Sequence, residues 1–287
     1  MNVWVEAARS RTLPASLAPV IVGTAAAERF IVWRAVCALV VSLSLQIAVN
    51  YANDLFDARR GVDTANRVGP RRVVASGLVT GRAMGIATTV ALGVAAAAGL
   101  ALAAAAGWEL LVVGIAALAA TLAYSGGPRP YASAGLGEVM VFLFFGLVAT
   151  AGSAYVQDER LQALAVLAAI PMGALAAAIL VANNLRDIET DLQGGKVTLA
   201  VRLGATRTVA LYRFSIVLAF VSAVPLGIEA GTPWPLLAVV TFPLALPAWR
   251  MVRADSPPPT LIAALGATAR LQLAYGCLLA VGLWISS

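Results

Sequence analysis

Apolar residues run along this chain in blocks of roughly 16 to 24, separated by short polar stretches. The blocks fall at about residues 12–27, 35–55, 83–106, 108–125, 136–155, 161–184, 208–228, 234–250 and 265–285. Each is close to the ~20 residues that carry a helix across a hydrocarbon core, with slack for tilt. The blocks are rich in Ala and Leu and show no strict alternation, which argues against the strands of a membrane barrel. Small-residue runs such as Leu92 through Gly107 suit close helix–helix approach in lipid. The pattern predicts an all-α membrane protein of about nine transmembrane helices. It predicts one polytopic unit over 1–287, without a separate soluble domain.

Composition agrees: 61% of the 287 residues are hydrophobic, only 12% are charged, and mean hydropathy is +0.88. Soluble domains carry about twice that share of charge. Sixteen of the twenty basic residues sit on one side of the membrane if the N-terminus is placed inside. Arg29, Arg34 and Arg160 sit on the other side, and Arg213 falls within a span. That bias places the N-terminus and the two long loops, about 56–82 and 185–207, in the cytoplasm of a multi-pass cell-membrane protein. The net charge of +6 reflects this bias, so it implies no nucleic acid partner. Nothing points to an obligate protein partner; membrane lipid is the surrounding. Arg9 and Arg11 before the first block resemble a signal peptide, but a chain embedded throughout needs no secreted form. Histidine is absent, which removes the usual general base and zinc ligand. Cys37 and Cys277 lie within blocks and read as small core residues.

Two acidic clusters end the second and sixth blocks. The first is Asn50-Tyr-Ala-Asn53-Asp54-Leu-Phe-Asp57; the second is Asn183-Asn184-Leu-Arg-Asp187-Ile-Glu-Thr-Asp191. Both blocks are even-numbered, so both clusters meet the same face. On a helix Asn50, Asn53, Asp54 and Asp57 form one polar stripe, and Asn183, Asp187 and Asp191 form another. Gly61 and Gly194-Gly195 follow as helix stops, and Gly69-Pro70 and Gly126-Gly127-Pro128 mark turns. Asp255-Ser-Pro-Pro-Pro259 reads as a stiff connector before the last block. Ionisable groups beside lipid point to function. Oxygen donors without His or Cys select hard cations such as Mg²⁺, which binds through one or two carboxylates together with substrate phosphates. The plain alternative is ion pairing with neighbouring arginines, which two similar clusters on one face make less attractive.

Arg71, Arg72, Arg129 and Lys196, the single lysine, are candidates for phosphate oxygens. Gln193-Gly-Gly-Lys196 lacks the spacing of a nucleotide-binding loop. A lipid-soluble diphosphate that ionises with metal help suggests an allylic prenyl donor. The carbocation-like fragment needs shielding from water and aromatic faces. Tyr51, Tyr124, Tyr131, Phe142, Phe144 and Phe145 lie near enough, with Tyr124 favoured by its place beside Ser125-Gly-Gly-Pro-Arg129.

At these residues the chain resembles the UbiA superfamily of intramembrane prenyltransferases, and more closely its 1,4-dihydroxy-2-naphthoate polyprenyltransferase branch. The similar stretches are Glu6–Pro14, Asn53–Asp63, Arg67–Gly77, Tyr124–Pro130, Gly135–Glu138 and Asn183–Gly204. The resemblance implies nine helices around a central cavity open laterally to lipid. It implies Mg²⁺ held through Asp54, Asp57, Asp187 and Asp191 with Asn50 and Asn53, and diphosphate contacts from Arg72, Arg129 and Lys196. The two loops would cap the site. The substrates implied are a polyprenyl diphosphate and an aromatic acceptor that loses its carboxylate, giving demethylmenaquinone after oxidation. The chain departs from the family pattern at Val197, where a basic residue is expected, and at Arg71. The alternatives are another acceptor, 4-hydroxybenzoate or homogentisate, or an ion-coupled transporter.

Overall fold

A computed structural model describes residues 2–61 and 71–286. Asp63, Arg67 and the Gly69-Pro70 turn lie outside the described residues, which contain no strand. In chain order the apolar helices are α1 (Pro14–Ala25), α2 (Val32–Arg60), α3 (Gly81–Ala106), α4 (Leu110–Ala123), α5 (Gly137–Asp158), α6 (Ala163–Arg186), α7 (Leu199–Glu229), α8 (Trp234–Met251) and α9 (Pro258–Ser286). Seven of these are long and apolar enough to cross a membrane; α1 and α4 are shorter.

Local chemistry sets the ends. Gly61 closes α2 in the left-handed region (φ 67°), where a side chain would be strained. Thr80 and Thr198 cap α3 and α7 by accepting from the backbone N–H groups of Ala83 and Val201. Gly204 (φ 74°, ψ 165°) kinks α7 after its first turn. The final helix begins at Pro258, so two prolines expected in the connector instead occupy its first turn, where their fixed φ fits and no N–H is needed.

The most enclosed long helix is α6, with 72% of its apolar window buried. Gly146 of α5 and Gly173 of α6 let the two backbones touch: a Cβ on Gly146 would come 2.6 Å from Gly173 Cα. In lipid such small-residue contacts replace hydrophobic driving force with close packing. The short α1 threads the centre, packing on α2, α5, α6 and α9. On the other flank α2, α3 and α4 pack together. Cys277 is exposed rather than core, and Cys37 is half-buried.

Buried charged groups stand at both ends of α2. Arg34 near the start of α2 donates to the carbonyls of Val156 and Ala105 (both 2.9 Å) and to Glu159 (2.8 Å). Asp54 stands twenty residues further along α2, about 30 Å of helical rise, which matches the thickness of a hydrocarbon core. The acidic clusters and the Arg34 network therefore occupy opposite faces.

Candidate active site

The chain before α1 folds across the acidic end of α2. Short helical turns at Val3–Ala7 and Ser10–Thr12 meet at Arg9, whose φ of 54° and ψ of 61° are uncommon for a residue with a side chain. Three side chains on α2 hold this segment. Tyr51 OH donates to Trp4 O (3.1 Å), Asn50 Nδ2 to Ala8 O (2.9 Å), and Gln46 Nε2 to Thr12 Oγ1 (3.1 Å). The arrangement brings Arg9 to the wall of the cavity described below. With its amide oriented to suit its neighbours, Asn53 accepts from Arg9 Nη2 (3.3 Å) and donates to Asp57 Oδ2 (2.7 Å).

Both oxygens of Asp54 receive backbone N–H groups, from Val73 (3.0 Å) and Val74 (3.1 Å). This carboxylate thereby fixes the start of the 71–79 segment. Arg71 reaches back to Glu6 (3.2 Å), tying that segment to the N-terminal helix. Arg72 Nη2 lies 3.2 Å from Asp57 Oδ2. Lys196 Nζ, from the chain that follows the second cluster, lies 3.7 Å from the same oxygen. The two distant acidic segments thus converge on Asp57.

The second cluster differs from its expected form. A single helical stripe through Asn183, Asp187 and Asp191 does not form, because α6 ends at Arg186. Asp187 leaves helical geometry (φ −96°, ψ 4°), and Asp191 sits on a separate short helix, Ile188–Gln193. The Asp187 N–H turns back to Asn184 O (3.2 Å), tightening the last turn. Arg186 folds over the break, donating to both oxygens of Asp187 (2.7 and 2.5 Å) and to Asn183 Oδ1 (3.0 Å). The new helix restarts through Asp191 N–H to Asp187 O (2.7 Å).

Between the clusters lies a cavity of about 500 Å³. Its polar end is lined by Arg9, Asn50, Asn53, Arg72, Asn183, Asn184, Asp187, Asp191 and Lys196. Asp54, Asp57 and Arg129 are not among the lining residues; the first two are buried behind them and Arg129 is exposed on the 124–136 connector. The cavity continues down an apolar shaft to Ala38, Leu102 and Val156, beside the Arg34 network. α4 packs on α2 and α3 but barely touches α5, so the shaft runs along the seam between α4 and α5.

Aromatic rings flank the polar end. Tyr124 and Tyr131 line the cavity and meet edge to face with centroids 5.5 Å apart. Burial pushes the Tyr124 phenol far above its ordinary range, with the Arg9 guanidinium pulling part of the way back. Burial does the same to Tyr131. Both phenols therefore stay protonated and can donate, not act as bases. The backbone of α5 widens to π-helical bonding over Phe142–Ala151, and Phe144 and Phe145 both line the shaft. Phe142 packs on Gly173 instead, and Tyr51 packs on Trp4.

Among the described residues no three His, Cys, Asp or Glu side chains form a ready-made metal cage. The donors facing the cavity from the two clusters, Asn50, Asn53, Asn183, Asn184, Asp187 and Asp191, are nonetheless amides and carboxylates. That set fits a hard cation completed by phosphate oxygens better than an all-protein site. Sequence reasoning assigned Arg9 no site role, placing it in the topology, a signal-peptide resemblance and a family-like stretch, although Arg-Ser-Arg directly before the first apolar block was a signal of charge at the membrane face. It also gave no role to Glu138 or Asn184.

The family model described as UbiA prenyltransferase family matches residues 16–271. A 1,4-dihydroxy-2-naphthoate octaprenyltransferase of Mycobacterium tuberculosis is 43% identical over 275 residues, covering 95% of this chain and 93% of that one. The protein of the same name from Mycobacterium leprae is 42% identical over 286 residues, covering 99% and 96%. Among solved structures, a UbiA homolog from Archaeoglobus fulgidus bound to GPP and Mg²⁺ superimposes with a TM-score of 0.66 at 17% identity, covering 96% of this chain and 99% of that one. That last likeness is one of fold.

Proposed function

The chain belongs to the UbiA prenyltransferase family, and from that membership we infer that it moves a polyprenyl group from a polyprenyl diphosphate to 1,4-dihydroxy-2-naphthoate. It is a multi-pass membrane protein and a transferase. The allylic C–O bond breaks as diphosphate departs, a carbon–carbon bond forms to the ring, and the acceptor carboxylate leaves as carbon dioxide. The product is demethylmenaquinol, oxidised afterwards to demethylmenaquinone. The observation that carries this reading is the convergence of both acidic segments, with Lys196 and Arg72 on Asp57, at the head of a shaft lined by apolar side chains.

Within that site Arg9, Arg72 and Lys196 bind the phosphate oxygens, as guanidinium and ammonium groups do in low dielectric. Asp187 and Asp191, with Asn50 and Asn53, would hold Mg²⁺, and Asp54 and Asp57 support them from behind. The metal, when bound, neutralises charge on the leaving diphosphate. Tyr124, Tyr131, Phe144 and Phe145 keep water from the allylic fragment and offer it ring faces. The seam between α4 and α5 lets a chain longer than the shaft pass into lipid. Arg129 is exposed on the 124–136 connector and does not line the cavity, so the diphosphate contacts fall to the other three cations. The arginine bias supports a cytoplasmic position for this face. An ion-coupled transporter would place its acids near the bilayer midplane, whereas these lie a full hydrocarbon thickness from Arg34.

Membranes containing the protein, supplied with a polyprenyl diphosphate, Mg²⁺ and each acceptor in turn, test the reading by product mass. Expected is a naphthoate product that has gained the prenyl group and lost carbon dioxide, and that disappears with chelator. Product from 4-hydroxybenzoate or homogentisate alone would overturn the acceptor assignment.

A further inference from the structure

Glu138 is a carboxylic acid that the mechanism above leaves without a task. It lies in the first turn of α5, 6% exposed, in a helix that crosses lipid. An ionisable group there calls for a reason. Its Oε1 accepts a 2.9 Å hydrogen bond from Asn184 Nδ2, and its Oε2 is buried without a hydrogen-bond partner among the described residues. The neighbouring Gly137 lies against the Tyr124 ring, where an added Cβ would come to 4.0 Å. Asn184 is itself buried, yet it lines the cavity beside Tyr124.

A carboxamide has a donor end and an acceptor end. With the Asn184 nitrogen directed to Glu138, its orientation is fixed and its carbonyl oxygen is the end left for a ligand. A carbonyl oxygen repels phosphate oxygens, so it suits a hydrogen-bond donor. The cations that suit diphosphate, Arg9, Arg72 and Lys196, come from other segments. Of the two substrates only the acceptor ring carries hydroxyl donors, and Tyr124 offers it an aromatic wall.

We propose that Glu138 is a positioning residue: it locks the Asn184 amide so that Asn184 Oδ1 accepts a hydrogen bond from a hydroxyl of the aromatic acceptor, and so selects acceptors that carry that hydroxyl. The proposal rests on the prenyl-transfer reading and specifies its acceptor subsite. Sites built around a hydrogen bond to a substrate hydroxyl discriminate strongly against analogues that lack the proton, because the site's own group is then left unpaired.

Purified full-length protein is assayed at saturating prenyl diphosphate with the dihydroxynaphthoate and with its mono-O-methyl ethers, as wild type, Glu138→Leu, Glu138→Gln and Asn184→Ala. Wild type is expected to prefer the free diol over one of the ethers by at least about tenfold in kcat/KM. Glu138→Leu and Asn184→Ala should each raise the acceptor KM and collapse that preference, with the prenyl diphosphate KM within about twofold of wild type. Glu138→Gln keeps an acceptor oxygen and should restore both. Damage by Gln equal to that by Leu, an equal rise in both KM values, a raised Mg²⁺ requirement, or an undiminished preference would overturn the proposal. If Glu138→Leu does not fold, Asn184→Ala and Glu138→Gln decide it. No prenylated product from wild type with any acceptor overturns the underlying reading instead.

Discussion

Asn50 with Asp54, and Asn183 with Asp187, share one spacing on two helices that reach the same membrane face, yet the two pairs are engaged differently. In the first, Asn50 donates to the Ala8 carbonyl and Asp54 receives the N–H groups of Val73 and Val74. These side chains gather the N-terminal segment and the 71–79 segment around the end of α2. In the second, the helix breaks at Asp187, and Asn183, Asn184, Asp187 and Asp191 all line the cavity. The first cluster keeps its carboxylates behind the wall, organises basic side chains, Arg9 and Arg72 among them, and turns only the amides of Asn50 and Asn53 to the cavity, while the second turns its carboxylates, Asp187 and Asp191, to it. A shared sequence pattern thus covers two tasks, and the helix break separates them.

The comparison breaks most visibly at Asp191. Asp191→Ala is expected to lower product formation about 100-fold or more, the scale for removing a preorganised charge-stabilising group. Raising Mg²⁺ should recover part of the loss, measured as turnover against metal concentration. Wild-type turnover would show that the second cluster is not the metal-facing one. Asp187→Ala is a less clean probe, because Arg186, with its side chain only 2% exposed, would lose the carboxylate that it faces.

Asp54 should respond in an intermediate way. In Asp54→Asn one oxygen becomes an NH₂ group, which faces a backbone N–H. Leaving such a donor unsatisfied costs about 1–3 kcal/mol. Thermal unfolding in detergent should therefore shift down by a few degrees, with activity falling about tenfold as the 71–79 segment and Arg72 loosen. A complete loss of turnover at unchanged Tm would mean that Asp54 acts directly on the metal, and the two clusters would then be alike.

The apolar blocks located the helices because lipid leaves the chain little choice: each segment must satisfy its own backbone and show apolar side chains. The block at 12–27 gave α1 to within a few residues. Ends were legible where one residue decides them, as at Gly61. They were not where side chains compete with the helix, as at Asp187, where Arg186 stabilises the break. Which residues would gather at one candidate site was readable by type, from the paired acids and Lys196. What each one touches was not, because Asp54 and Asp187 sit in matching patterns and differ only through segments far away in sequence. Arg9 escaped for the same reason, since its route to Asn53 depends on three α2 side chains that fix the N-terminal segment.

Those three side chains supply the smallest and most selective test. Gln46 Nε2 to Thr12 Oγ1 is the rung nearest α1, between two neutral groups. Gln46→Leu removes that single hydrogen bond, with a net loss of about 0.5–1.5 kcal/mol. The N-terminal segment keeps its Asn50 and Tyr51 rungs, so the fold should persist. Arg9, however, is held in a backbone conformation that relaxes when support weakens. If the first cluster works by placing Arg9 against the diphosphate, the prenyl diphosphate KM should rise about twofold to threefold, with kcat nearly unchanged, the pattern of lost uniform binding. Arg9→Gln, which removes the charge outright, should raise it further, and the double variant should be no worse than Arg9→Gln alone, since both changes act on one contact. Additive losses would place Gln46 in a separate role on the cavity wall, and an effect on the acceptor KM would move the N-terminal segment from the diphosphate to the ring.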